Sequence, residues 1–305
     1  MMQPMAWLKN KVGPNASEPR ETNADIRVIG DRRSGKTVYM ASLAYWPNAK
    51  ADSPIQSVTS IGEQSASQEL LKYAQDILEQ GLELKGTPLN SNIREVKDYG
   101  LSILLKDQFK LSNLRSQSLK LIINCKDYSG EFYSDLLNKP NDPILYDYLS
   151  DCIRATGILL LIDGTAYAKD GDYARSLDAF FAAIDKADLL QDKKRIAFAI
   201  SKCELSQLWV KRHDPRGLVK SLFPQMMGKI EVWQQRGLGA VDYFTLSSFG
   251  ILGKEYPEPN TILLASDQGG TKSSIRDPNR WRPFGLVSPI YWLCTGQRHK
   301  LLDKD

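Results

Sequence analysis

Residues 26–37 read Ile26-Arg27-Val28-Ile29-Gly30-Asp31-Arg32-Arg33-Ser34-Gly35-Lys36-Thr37, a short strand-like run followed by the pattern G-x-x-x-x-G-K-T. Downstream, Thr37 to Tyr45 (TVYMASLAY) has the makings of a helix. Strand, glycine-rich turn and helix in that order give the pattern its chemical meaning. Such a turn points successive backbone N–H groups inward at a helix N-terminus, where unpaired donors and the helix dipole favour a polyanion. The cradle is Gly30, Asp31, Arg32, Arg33, Ser34 and Gly35. Lys36 is placed to reach the outer phosphates, and the Thr37 hydroxyl to ligate Mg²⁺.

The chain has 305 residues, 42% of them apolar, which is ample for a buried core in one large or two modest domains. A formal charge of +4, from 40 basic and 36 acidic residues, is too mild to announce nucleic acid as a partner. Cys125, Cys152, Cys203 and Cys294 form no C-x-x-C pair, and only His213 and His299 could assist them. They read as reduced, mostly buried thiols of a cytoplasmic protein. No apolar stretch reaches membrane-spanning length, and the beginning lacks the apolar core of a secretory signal. Residues 1–12 set Met1, Met5, Leu8 and Val12 at helical spacing beside Trp7, Lys9 and Lys11. They read either as a segment lying on a membrane surface or a partner, or as a frayed terminus. With residues 13–24, which are polar and turn-forming, they make a tail and linker.

Further on, periodicity predicts an amphipathic helix over about Ser67 to Gln80, with Leu70, Ala74, Ile77 and Leu78 on one face. Two strand-like runs follow, Tyr99 to Leu105 and Ser118 to Asn124, which can pair as a hairpin. Gly157 to Asp163 (GILLLID) is a continuous apolar run of the kind a fully buried parallel strand carries. A helix over Tyr173 to Asp188, a strand over Arg195 to Ile200, a long helical region from Gly217 to Arg236 and a strand over Ala240 to Leu246 complete the alternation. This order predicts an α/β, three-layer, mostly parallel sheet with one antiparallel hairpin strand. In such sheets ligands lie across the carboxyl ends of the strands.

Those ends carry Asp127-Tyr128-Ser129-Gly130-Glu131, Ser201-Lys202-Cys203-Glu204 and Ser247-Ser248. A carboxylate at Asp127 can hold Mg²⁺ through water, and the Gly130 backbone can approach a terminal phosphate. Together with Gly30 to Thr37, and in this order, these residues resemble the nucleotide-binding motifs of a P-loop GTPase of the translation-factor-related, Ras-like class. The resemblance spans about residues 25–250, with an insertion over about 48–97. It implies the P-loop NTPase fold, GTP or GDP with Mg²⁺ as cofactors, and base contacts from Lys202, Glu204, Ser247 and Ser248.

The chain departs from the family at three places. Where the family has Asn-Lys-x-Asp this chain has Ser201-Lys202-Cys203-Glu204, so Glu204 keeps a carboxylate for the base but guanine against adenine stays open. Glu131 stands where the family often has a water-orienting Gln, which implies slow unaided hydrolysis; it also suits a solvated helix start. Arg32 and Arg33 stand where compact members often keep small residues. Arg32 can face the phosphates as an internal charge stabiliser, project into solvent, or pair with an acidic neighbour. The long span before Asp127 leaves room for an extended first switch, in which Thr87, or its rival Thr59, would reach Mg²⁺.

Residues 251–283 hold Gly, Pro, Ser and basic residues and read as a mobile connection, and 284–305 as a C-terminal helix packed on the domain. The expected function is a guanine-nucleotide switch that hydrolyses GTP to GDP with Lys36, Arg32 and Glu131 at the reacting phosphate and signals to a protein effector or activator. A nucleotide-holding scaffold without hydrolysis and an ATP-dependent P-loop enzyme are the alternatives.

Overall fold

The structure, a computed structural model, describes residues 19–46, 53–61, 64–80, 82, 93–106, 118–139, 141–186, 194–253, 258–265 and 271–303. β1 (Arg20–Ile29) leads through the glycine-rich turn into α1 (Lys36–Ala44). β2 (Ile55–Ile61) is followed by α2 (Gln64–Ala74), which continues as a π-helical turn over Gln75–Glu79. Next come β3 (Asp98–Leu105), β4 (Leu119–Asp127), α3 (Gly130–Asn138), α4 (Pro143–Arg154) and β5 (Gly157–Asp163). A 3-10 turn (Tyr167–Lys169) opens α5 (Asp170–Lys186), and β6 (Lys194–Ser201) follows. α6 (Ser206–Trp209), α7 (Pro215–Leu222) and α8 (Pro224–Gln235) precede β7 (Gly239–Thr245). A hairpin of β8 (Thr261–Ala265) and β9 (Thr271–Ile275) and then α9 (Val287–Thr295) complete the described elements.

The main sheet has seven strands in the order β2-β3-β4-β1-β5-β6-β7. β3 runs antiparallel to both neighbours, and every other pairing in the sheet is parallel. Alternation sorts the side chains onto two faces. On β5 and β6, Leu159, Leu161, Ala197 and Ala199 join the core beneath α1, α2 and α9. Ile158, Leu160, Ile162, Ile196, Phe198 and Ile200 join the core beneath α3, α4, α5, α7 and α8. Helices therefore cover both faces of the strands, which is why GILLLID is apolar throughout. No helix among the described residues is long and apolar enough to cross a membrane.

The expected α/β sheet with its antiparallel hairpin strand is the one observed. Several boundaries differ. β1 starts at Arg20, so residues 20–24, read as linker, pair in parallel with β4 residues 119–123. β2 lies inside the stretch read as an insertion, yet it is an edge strand of the main sheet. The single helix expected over Gly217 to Arg236 is two, because Pro224 has no N–H to continue α7 and instead starts α8. The stretch read as a connection contains the β8–β9 hairpin, and Trp281 within it is buried against the core. Residues 1–12 and Thr87 lie outside the described residues.

Candidate functional site

The carboxyl ends of β1, β4, β5, β6 and β7 meet at one edge of the sheet, and the turn after β1 lies among them. Gly30 has φ 154°, and a Cβ built on it would stand 2.1 Å from the Leu161 carbonyl oxygen of β5, so no side chain fits there. Arg33 at φ 66° and Gly35 at φ 90° then turn the chain through left-handed conformations into α1. Lys36 is buried, and its ammonium donates to the Gly30 carbonyl at 2.9 Å and the Asp31 carbonyl at 3.0 Å, closing the turn into a ring. Burial lowers the Lys36 pKa, against the pull of Asp127 and Asp31. The Ser34 carbonyl accepts the Ser201 hydroxyl at 2.7 Å, which ties the turn to the end of β6. The Ser34 hydroxyl is fully buried and has no hydrogen-bond partner among the described residues.

Thr37 and Asp127, the two residues the sequence offers to a metal ion from α1 and β4, are in direct contact. The Thr37 hydroxyl donates to Asp127 Oδ2 at 2.6 Å, with Asp127 buried at the end of β4. Among the described residues no three His, Cys, Asp or Glu side chains cluster to hold a metal. One hydroxyl and one carboxylate, completed by phosphate oxygens and water, is a donor set that suits Mg²⁺. The residues present therefore fit that ion. Thr59, the rival for the switch threonine, is an exposed residue in the middle of β2.

Asp31 is turned away from the cradle. Its carboxylate accepts the Arg32 N–H at 2.7 Å, the Lys169 ammonium at 2.7 Å and the Tyr173 hydroxyl at 2.9 Å. Arg32 forms an ion pair with Glu131, the acidic-neighbour arrangement among those open to it. Gly130 starts α3, where a Cβ would lie 2.4 Å from the Arg32 backbone nitrogen. The preceding Ser129 caps α3 by accepting the Glu131 N–H at 3.2 Å. Between them and Asp127 stands Tyr128, whose hydroxyl donates to Asp151 on α4 and whose ring packs edge-on against Phe132 and Tyr148. Asp151 also takes Arg27 Nε at 2.6 Å and Nη2 at 3.1 Å.

At the far end of the site Lys202 adopts φ 61°, and its ammonium donates to Asp163 Oδ2 at 2.5 Å. Asp163 Oδ1 in turn accepts the Thr165 N–H at 2.9 Å. Glu204 is 3% exposed. Its Oε1 accepts the Thr261 hydroxyl of β8 at 3.4 Å, while Oε2 has no hydrogen-bond partner among the described residues. Burial raises its pKa, opposed by the Ser247 hydroxyl, Lys202 and Thr261. Ser247 is fully buried and exchanges backbone hydrogen bonds with Phe284 at 3.0 and 3.1 Å. The Ser248 carbonyl accepts the Trp281 indole N–H at 2.7 Å.

A mostly parallel sheet with β1 at its centre, a G-x-x-x-x-G-K-T turn between that strand and the next helix, and a carboxylate from β4 on the helix threonine define the architecture. The chain has the P-loop NTPase fold. No protein-family model matches the sequence, and no curated protein matches it. Among solved structures it resembles GTPases. The small GTPase Arl6 (BBS3) from Trypanosoma brucei, with bound nucleotide analogue GppNp, is similar at 11% identity and TM-score 0.38, over 74% of this chain and 88% of that one. The signal recognition particle receptor SRb-GTP/SRX complex from Chaetomium thermophilum is similar at 15% identity and TM-score 0.37, over 79% of this chain and 94% of the other.

Four residues that hydrogen-bond to the candidate site residues were missed in the sequence. Asp163 had a signal, since it ends the apolar run of β5. Lys169, Tyr173 and Thr261 had none, because their partners are 138, 142 and 57 positions away.

Proposed function

We propose that the chain is a guanine-nucleotide-binding switch, taking GTP with Mg²⁺, hydrolysing it slowly to GDP and presenting the difference to a protein partner. The observation that carries the reading is the Thr37–Asp127 pair beside a turn closed by Lys36. Water is the nucleophile, so no protein side chain needs to form a covalent bond. Lys36 and the inward N–H groups at the start of α1 stabilise the negative charge of the transferred phosphoryl group. Thr37 and Asp127 would hold the Mg²⁺, which when bound neutralises phosphate charge. The buried Glu204 Oε2, which has no hydrogen-bond partner among the described residues, suits the N–H edge of guanine. Glu131 is engaged by Arg32 and has no amide to orient water, which supports slow hydrolysis. The same engagement favours, as a second reading, a holder of uncleaved GTP.

The test is titration of a fluorescent GTP analogue, with Mg²⁺ varied, against the wild type, Lys36→Ala and Asp127→Ala. Lys36→Ala is expected to weaken binding, and Asp127→Ala to weaken its dependence on Mg²⁺. Unchanged binding in both variants would remove the site. Single-turnover phosphate release separates the switch from the holder, and competition with ATP decides the base.

A further inference from the structure

An acidic side chain inside a phosphate-binding turn opposes the turn's purpose unless its charge is matched. Asp31 is the one acidic residue between Gly30 and Thr37, and it is only 7% exposed. Its carboxylate is matched from outside the turn. Lys169 closes the 3-10 turn before α5 and Tyr173 lies in the first turn of that helix, and both reach Oδ2. Oδ1 holds the Arg32 N–H, and the Asp31 carbonyl holds the Lys36 ammonium. Residue 31 is thus the joint between the lysine of the cradle and the start of α5. The Tyr173 ring is fixed between Tyr133 at 5.9 Å and Phe223 at 6.4 Å, and Lys169 stands 5.9 Å from its centroid. Burial, then the Asp31 charge, push the Tyr173 pKa up, which keeps its hydroxyl a donor.

We infer that Lys169 and Tyr173 are positioning residues for the phosphate-binding turn: through Asp31 they fix its curvature and cancel its internal negative charge, so that triphosphate affinity depends on them. This rests on the nucleotide reading above. Lys169 itself is 55% exposed, so the pair adds little to folding, but the carboxylate side chain is 10% exposed and loses its compensating charge if Lys169 goes. An uncompensated carboxylate on the turn, even one directed at α5, then repels the incoming polyphosphate as a like charge.

The experiment titrates a fluorescent GTP analogue with Mg²⁺ against wild type, Lys169→Met, Lys169→Arg, Tyr173→Phe and the double variant Asp31→Asn with Lys169→Met, with melting curves in parallel. Lys169→Met is expected to weaken binding about tenfold, Tyr173→Phe about threefold, and Lys169→Arg less than about twofold. Adding Asp31→Asn to Lys169→Met is expected to recover most of the loss, a coupling that general damage to the fold would not produce. Wild-type affinity in Lys169→Met, or a loss that Asp31→Asn leaves untouched, overturns the inference while the nucleotide reading stands. A wild type that binds no triphosphate overturns both.

Discussion

Arg32 in the glycine-rich turn and Glu131 in the first turn of α3 are ion-paired to each other. Behind them the two backbones touch, since a Cβ on Gly130 would fall 2.4 Å from the Arg32 nitrogen. The pair thus bridges the two segments between which a terminal phosphate is proposed to sit. Arg32 is 68% exposed, so the pair contributes at most about 1 kcal/mol.

Glu131→Gln is therefore expected to free Arg32 for anions at almost no cost in stability, within about 0.5 kcal/mol. Affinity for a triphosphate should rise about threefold while affinity for a diphosphate stays put, as read by calorimetric titration. An equal change for both nucleotides would mean that the pair does not guard the terminal phosphate.

Gly30→Ala places a methyl group against the Leu161 carbonyl oxygen, 2.1 Å away, at a positive φ. The expected cost is about 3 kcal/mol. Urea unfolding followed by tryptophan fluorescence measures it. A shift below about 1 kcal/mol would mean that β1 and β5 are not in this contact.

Asp151 gives the molecule an acid-sensitive joint. Burial works to raise its pKa, but hydrogen bonds from Arg27 and Tyr128 and the charges of Arg27 and Lys126 outweigh this and hold it below the ordinary carboxylate value. A depressed folded-state pKa means that the stabilisation is present above the unfolded value of about 3.9 and is lost as pH falls through the folded value. Asp151→Asn should cost about 2 kcal/mol at neutral pH, with the gap to wild type narrowing below about pH 4. Denaturant titrations at pH 7 and pH 3 decide it, and an equal gap at both would rule the joint out.

Glu204 has the opposite sign. Its pKa is raised by burial, so its contribution is fully present below the unfolded value of about 4.3 and is lost as pH rises through the folded one. Glu204→Gln should stabilise the protein by about 1 kcal/mol at pH 8 and leave it unchanged at pH 4. The same variant should lose preference for GTP over ATP in competition. A stabilised variant with its base preference intact would show that the carboxylate does not read the base.

The glycine-rich turn between β1 and α1, the strand-end position of Asp127 and the buried strand at 157–163 were legible because each leaves a local mark: a glycine spacing, a strand-end acid, an unbroken apolar run. β2 left none. Its sequence IQSVTSI is an edge strand in which only Ile55 and Val58 are buried, and polar residues there look like loop. Residues 20–23 are polar for a similar reason, since β1 begins with exposed positions before Ala24 enters the core. The break between α7 and α8 could have been read from Pro224. The pairs Asp31–Lys169 and Lys202–Asp163 could not, because only the folded sheet brings their elements together.

α9 lies across β1, β5 and β6, with Ile290 and Leu293 fully buried and Arg195 donating to the Leu293 carbonyl at 2.7 Å. The strand that leads into the glycine-rich turn is therefore roofed by α9, the last helix among the described residues. A fragment cut just after Thr245 would have a greasy, uncovered midriff and should precipitate however intact the strand ends that carry the candidate site, so that edge of the sheet cannot be separated from α9 by trimming.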